Sequence, residues 1–292
     1  MKKHSLDIVL LSYNGSFWLK KTIASLQKYY LRRTTNQVRV WLVDNASSDD
    51  SVAMVKKEFP FVKIILSPTN VGFAAGNNLA LKKVTGEYVL LLNTDTQLDE
   101  RSNLDELIVY LDRHKDVGMI GPKLLLTGGQ LDPACHRGEP TPWASFCYFS
   151  GLEKLFPHWR IFSAYHRYDL DLDTCHEIEA ISGAAMLVAK HAMDKVGLLD
   201  ENFFLYAEDL DWAHRFRDQG YKIVYYPQVV IIHHKNKSGI ANQDAKIKGK
   251  SKAYFYDTML QYYDKYYARR YPKFFRTLVK TALFIKRGGL TS

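Results

Sequence analysis

Within the first hundred residues, four short apolar runs alternate with three helical patterns, and this alternation limits the fold more than any other feature of the chain. Residues 6–12, 38–44, 62–66 and 87–92 are rich in Val, Ile and Leu and bounded by turn residues, as buried strands are. Between them, residues 17–30, 48–59 and 72–84 carry helical spacing, with Ser47 or Ser48 as an N-cap before Asp49 and Asp50. The order β-α-β-α-β-α-β predicts an α/β fold: a mostly parallel central sheet flanked by helices, with ligands at the carboxyl ends of the strands.

After Gly121 the pattern loosens, with Pro122, Pro133, Pro140, Pro142 and Pro157 punctuating an aromatic-rich stretch to about Asp173. Strand-like sequence returns at 178–189. A helix over 208–219, stopped by Gly220, precedes a strand pair, 222–226 and 229–233. From Lys246 the chain is helical in pattern, and Phe274, Leu278, Ala282 and Ile285 share one face while Arg276, Lys280 and Arg287 share another. The organisation expected is a domain over 1–240 and then a tail over 241–292, and a resemblance to a known family, carried by motifs along the domain, implies that it is catalytic, with a nucleotide-binding half (about 1–120) and an acceptor-binding half (about 121–240).

At 292 residues and 47% hydrophobic, the chain can bury a full core, which excludes a disordered polymer. Cys135, Cys147 and Cys175 are odd in number and widely spaced, so neither a disulfide framework nor a zinc knuckle is expected, and a reducing, cytoplasmic setting fits best. The apolar stretch 6–11 is too short for a signal peptide, and no run reaches about 18 apolar residues, so a soluble or peripheral protein is expected. The net charge of +9 is uneven. Residues 235–292 hold 14 Lys/Arg against 3 Asp, whereas residues 1–234 hold 26 against 28 acidic residues. Basicity confined to the tail points to an anionic partner there: a phospholipid surface, a lipid diphosphate or a nucleic acid.

The informative polar residues stand just after the apolar runs. Asp44 ends the second strand in Val43-Asp44-Asn45-Ala46-Ser47-Ser48-Asp49, where a carboxylate faces the crevice and can accept from a base or ribose; the plainer reading is a turn or cap. Asn70-Val71-Gly72-Phe73-Ala74-Ala75-Gly76-Asn77-Asn78 is a glycine-bearing entry to a helix, suited to phosphate or ribose. It is neither a dinucleotide fingerprint nor a P-loop, which counts against a dehydrogenase and a P-loop NTPase. The fourth strand runs into Asn93-Thr94-Asp95, placing a carboxylate where a hard divalent cation can bridge to phosphate. Glu208, Asp209 and Asp211 open a helix after an aromatic run, where partial burial can raise a carboxylate toward a general-base pKa. Val229-Val230-Ile231-Ile232 ends in His233 and His234, of which only one can face the crevice and complete a metal site with Asp95.

Taken in order, these segments resemble the family-2 glycosyltransferases, and within them the rhamnosyltransferase-like branch. Ser12-Tyr13-Asn14, Val43 to Asp49, Asn70 to Asn78, Leu92 to Asp95, Ser182-Gly183-Ala184-Ala185-Met186, Phe203 to Trp212 and Gly220-Tyr221 through His233-His234 carry the likeness, over about residues 5–240. The resemblance implies a GT-A fold, a nucleotide-diphospho-sugar donor, a divalent metal (Mg²⁺ or Mn²⁺) and inversion at the anomeric carbon. By position it makes Asp44 the reader of the base, with Ser12 and Asn14 lining the nucleoside pocket and Asn70, Gly72, Gly76, Asn77 and Asn93 adding to the nucleotide site. Asp95 becomes the metal carboxylate, although Asn93 stands where the family's D-x-D motif has its first Asp. His233 becomes a further metal ligand, with His234 still open. Asp209 becomes the general base, flanked by Glu208 and Asp211. The implied acceptor is a saccharide or a polyprenyl-diphosphate-linked saccharide of bacterial cell-surface polysaccharide synthesis, with dTDP-rhamnose the favoured donor and UDP-sugars (galactose, N-acetylglucosamine) the alternative.

The tail lies largely outside that likeness. Lys246, Lys248, Lys250 and Lys252 precede Tyr254, Phe255, Tyr256, Tyr262, Tyr263, Tyr266 and Tyr267. Such a segment either lies in an anionic membrane interface or packs its tyrosine face on the domain. A non-catalytic protein that binds nucleic acid or a sugar nucleotide is the reading from a different class. No nucleic-acid partner is expected, because the basic residues are segregated from the crevice and no nucleic-acid-binding motif is present.

Overall fold

The computed structural model describes residues 2–235 and 245–287. Its first half follows the expected alternation: β1 (Ser5–Ser12), α1 (Ser16–Leu26, running into a π-helical turn at Gln27–Leu31), β2 (Gln37–Asp44), α2 (Ser51–Glu58), β3 (Val62–Leu66), α3 (Phe73–Leu81) and β4 (Tyr88–Leu92). Then come β5 (Thr96–Gln97), α4 (Leu104–Arg113), β6 (Val117–Leu126), α5 (Pro142–Ser150), α6 (Leu152–Leu155), β7 (His176–Glu177), β8 (Ala185–Ala189) and α7 (Lys190–Val196). The chain continues through α8 (Glu208–Asp218), β9 (Lys222–His233), α9 (Ala245–Tyr266) and α10 (Lys273–Arg287).

One sheet of order β3-β2-β1-β4-β8-β6-β9-β5 runs through the molecule, with β7 paired to β9. The strands β3, β2, β1 and β4 are mutually parallel, while β8 is antiparallel to both its neighbours and β9 runs parallel to β6. Strands β1, β4 and β8 are almost wholly buried, which is why their sequences read as unbroken apolar runs rather than alternating ones.

Three local expectations give way to tertiary demands. Helix α2 starts at Ser51, not Ser48, because Ser47 and Ser48 are used across the crevice: Ser47 Oγ accepts from the Asn14 amide (2.9 Å), and the Ser48 amide donates to Asn14 Oδ1 (2.7 Å). The expected strand 178–189 is regular only over Ala185–Ala189; upstream, Ala180 exchanges backbone hydrogen bonds with Arg137 instead. The expected strand pair 222–226 and 229–233 is one strand, β9, in which Pro227 falls at a register shift where Pro122 pairs with Tyr226 and Lys123 with Val230. A bulge tolerates a residue that cannot donate to the ladder.

The expected boundary near residue 240 lies outside the described residues, as do the side chains of Lys246, Lys248 and Lys250. Beyond it, the tyrosine face of α9 packs on the domain, with Tyr262, Tyr263 and Tyr267 buried. Two acidic residues fasten it. Glu139 accepts from the hydroxyls of Tyr262 (2.7 Å) and Tyr267 (2.6 Å) and pairs with His214 and Arg217. Asp211 accepts from Arg215 Nε (2.9 Å), Tyr266 OH (2.6 Å) and Lys265.

Burial alone would raise the Glu139 carboxyl, but the His214 hydrogen bond, the Arg217 charge and the Tyr267 hydroxyl outweigh it and bring it down to about 2. A carboxyl depressed on folding contributes stability that is present above its ordinary pKa and lost as pH falls toward the folded value. Denaturant unfolding at about pH 5 and about pH 3 is therefore expected to show a steeper loss in the native chain than in Glu139→Gln. Equal slopes would mean that Glu139 does not carry the attachment of α9.

Candidate functional site

The carboxyl ends of β1, β2 and β4 meet the loops before α3 and α8. Ser12 and Asp44 are register partners at the ends of β1 and β2. Asp44 Oδ2 accepts from the Ser47 amide (3.1 Å). Asp44 Oδ1 and Ser12 Oγ are buried without a hydrogen-bond partner among the described residues. Unpaired buried polar atoms are costly, and a pair at neighbouring strand ends suits a ligand that supplies the missing partners. Asn14, in the left-handed region at φ 49°, turns its side chain to Ser48 and so shapes the loop.

Asn45 organises the next loop: its Nδ2 donates to Asn70 Oδ1 (2.9 Å) and the Gly72 carbonyl (3.2 Å), and its Oδ1 accepts from the Val71 amide (3.0 Å). Gly72 sits at φ 87°, and a Cβ there would lie 2.4 Å from the Phe204 carbonyl oxygen, so only glycine lets this loop reach the segment before α8. Gly76 lets α3 close on Leu11, and Asn77 donates to the Phe73 carbonyl of its own helix (2.9 Å); both shape α3.

On the other side, the turn Asn93-Thr94-Asp95 is pinned from three directions. Thr22 of α1 donates to the carbonyls of Thr94 and Thr96, the Asn93 amide donates to the Ala184 carbonyl (2.9 Å), and Thr96 pairs with His233 across β5 and β9. Asp95 and His233 are both buried, with His233 Nε2 3.3 Å from Asp95 Oδ1. His233 Nδ1 is 2.7 Å from Asp132 Oδ2, and Asp132 Oδ1 is 2.8 Å from Lys235 Nζ. Burial would lower the His233 pKa, yet the hydrogen bonds and charges of Asp132 and Asp95 bring it up to about 9. Burial would likewise raise Asp132, but His233 and Lys235 hold its carboxyl well below the usual range. His234 faces away, bonded to Thr127 (3.1 Å) and Gln97 (3.0 Å), with its ring on Trp18.

The start of α8 forms the third part. Tyr206 and Ala207 both adopt positive φ (71° and 65°), a strained pair of the kind found where function fixes the backbone. Asp209 Oδ2 accepts from Arg137 Nη2 (2.6 Å) and the Gly183 amide (3.1 Å), so the Ser182–Ala184 loop and Arg137 converge on it. Glu208 is buried, and desolvation followed by the neighbouring Asp209 charge pushes its carboxyl up to about 8, on the side of the neutral form. Asp211 parts from these two, because its carboxylate is taken up in fastening α9.

Asp132 and Arg137 are absent from the sequence expectations. Asp132 stands in Asp132-Pro133, where it caps a short turn by accepting from the Ala134 amide (3.1 Å), and local sequence gives it nothing more to do. Arg137 lies in an aperiodic, proline-punctuated stretch.

The profile of Glycosyl transferase family 2 matches residues 7–170. A relative from Mycobacterium tuberculosis, N-acetylglucosaminyl-diphospho-decaprenol L-rhamnosyltransferase, is 26% identical over 80% of this chain and 77% of its own length. The low-salt glycan biosynthesis hexosyltransferase Agl10 of Haloferax volcanii is 23% identical over 78% of this chain and 66% of its own length. In three dimensions the chain resembles a mannosyltransferase of Pyrobaculum calidifontis in complex with GDP-Man and Mn²⁺ (TM-score 0.61, 16% identity, 97% of this chain and 70% of that one). It also resembles residues 1–349 of S. aureus TarS in complex with UDP-GlcNAc (TM-score 0.59, 17% identity, 88% of this chain and 65% of that one). The architecture is that of the GT-A glycosyltransferases, with a helical C-terminal region added. The chain belongs to glycosyl transferase family 2.

Proposed function

We propose that the protein is a metal-dependent, inverting glycosyltransferase that moves a sugar from a nucleotide diphosphate, dTDP-rhamnose before any other, to a saccharide carried on a polyprenyl diphosphate. The single observation that carries this reading is the Asp95–His233–Asp132 chain at the end of β4, on the crevice side opposite the unpaired Ser12 and Asp44 atoms. The rhamnosyl donor and lipid-linked acceptor are supported by the mycobacterial relative's name.

The donor set fits a divalent cation. A carboxylate oxygen and an imidazole nitrogen approach within 3.3 Å, and the far imidazole nitrogen is oriented by a second carboxylate, the usual outer-shell arrangement of metal-binding histidines. Among the described residues no third His, Cys, Asp or Glu joins them, which suits Mg²⁺ or Mn²⁺, ions that keep water and take substrate phosphate oxygens as further ligands. Bound there, the ion would neutralise charge developing on the departing diphosphate.

Around it, Ser12 and Asp44 receive the nucleoside, and the loop held by Asn45 and Gly72 closes over the donor. Asp209, oriented by Arg137 and Gly183, takes the proton from the acceptor hydroxyl as its oxygen bonds to the anomeric carbon. The bond from that carbon to the diphosphate oxygen breaks on the opposite face, which inverts the centre. Glu208, pushed toward its neutral form, adds little charge beside Asp209. Such an acceptor would be met at the cytoplasmic face of a membrane. No helix of the described residues is long and apolar enough to cross one, so the contact would be peripheral, with α10 of the tail as one element.

Thermal unfolding with UDP, dTDP, GDP or no nucleotide, each with and without Mn²⁺, tests this reading. A nucleotide at about 100 times its dissociation constant adds roughly 2.7 kcal/mol, a shift of several degrees for a domain of this size. The expected result is an Mn²⁺-dependent shift with dTDP that is lost in Asp95→Ala. A shift with UDP alone would replace the donor by a UDP-sugar, and no shift with any nucleotide would overturn the reading.

A further inference from the structure

From α5 toward β7 the chain carries an exposed apolar surface. Over residues 142–162, Trp143, Phe146, Leu155, Phe156, Trp159 and Ile161 are all exposed, Leu155 at 71% and Trp159 at 63%. This is a preformed hairpin: Gly151 at φ 83° turns α5 into α6, and Trp143 Nε1 donates to the Ile161 carbonyl (2.8 Å), closing its two ends. The rings also pack on one another at tilted angles, the Phe156 centroid lying 5.7 Å from that of Trp159 and 5.1 Å from that of Phe162. Beside it runs α10, whose Lys286 Nζ donates to the Phe149 carbonyl (3.4 Å) and whose Phe274, Leu278 and Ile285 are exposed.

We infer that the 142–162 hairpin and the exposed face of α10 form one docking surface for an anionic phospholipid leaflet. Charge selects this occupant. The only acid of the hairpin, Glu153, is buried against His166 (2.5 Å), whereas Lys154 and Arg160 are exposed. Residues 273–287 contain no acid, and Lys273, Lys280 and Lys286 are exposed. Tryptophan and phenylalanine flanked by lysine and arginine are the residue types that settle at a headgroup boundary. A second copy of the same surface would bring like charges together, which disfavours self-association.

Just past the hairpin, the Tyr165 carbonyl accepts from the Gly138 amide (2.6 Å), next in the chain to Arg137, which holds Asp209. Seating the hairpin in a leaflet therefore ties the loop that holds the proposed base to the surface where a lipid-linked diphosphate is met. This placement rests on the transferase reading, whereas lipid binding does not.

The test is co-sedimentation of the full chain with vesicles of phosphatidylglycerol and phosphatidylcholine, against pure phosphatidylcholine, for the native protein and for Trp159→Ser with Ile161→Ser. Both residues are exposed, so an unchanged melting temperature checks the fold. Expected are binding to the anionic vesicles only, weakened at least tenfold in the double variant and by high salt, and quenching of native tryptophan fluorescence by brominated lipid. No binding by the native chain, equal binding by the double variant, or a dimer that the double variant breaks would each overturn the inference. Nucleotide-induced stabilisation, measured on the same samples, reports the transferase reading separately: vesicle binding without any nucleotide effect would leave the surface standing and remove the transferase.

Discussion

Asp209→Asn is expected to slow sugar transfer by about 10²- to 10⁴-fold, the usual contribution of a positioned general base, while nucleotide-dependent stabilisation stays as in the native chain. The asparagine keeps an acceptor for Arg137 Nη2 and the Gly183 amide, so the loop geometry around α8 persists and only the proton acceptor is lost. Glu208→Gln supplies the contrast. Because burial and the Asp209 charge push Glu208 toward its neutral form, glutamine mimics its working state, and its variant should keep most of the native rate at neutral pH. Steady-state transfer and donor-induced melting, measured on both variants, decide the matter. A Glu208→Gln variant as slow as Asp209→Asn would move the base to Glu208.

The contrast between those two neighbours was only half legible in the sequence. An acidic cluster after an aromatic run announces carboxylates in a partly buried place, but which one meets an arginine depends on a loop more than 70 positions away. The strand ends were easier. Ser12, Asp44, Asp95 and His233 each follow an apolar run that has no other use than a buried strand, and polar residues ejected there must stand at one edge of the sheet. Asp132 offered no such signal, because its neighbours explain it as a turn, and its bond to His233 spans 101 positions. The tail divides in the same way. The spacing of tyrosines told that α9 has a face, but the half-buried Glu139 and the buried Asp211 determine that this face meets protein and not lipid. Helix α10 is tied to α9 through Arg276 and Asp264, while its Phe274, Leu278 and Ile285 stay on the surface, where the periodicity read from the sequence remains visible.

Mn²⁺-dependent nucleotide binding is expected to disappear in Asp95→Ala and to weaken about 10- to 100-fold in Asp132→Asn, the range typical of losing the outer carboxylate of a metal-bound histidine. The pH of the measurement matters, and its sign follows from the geometry. Nδ1–H of His233 donates to Asp132 and leaves Nε2 for the ion, but without an ion Asp95 favours a proton on Nε2, and the two carboxylates together push the ring's pKa up to about 9. Metal must displace that proton, so native affinity should rise about tenfold per pH unit from neutrality toward 9. Asp132→Asn removes part of what raises the ring, so at neutral pH weaker proton competition offsets some of the lost ligand strength. The full loss should therefore emerge at about pH 8.5, read as the Mn²⁺ concentration that half-saturates nucleotide-induced stabilisation. If Asp132→Asn matches the native chain there, Asp132 serves only Lys235 and the Pro133 turn, and His233 does not owe its orientation to it.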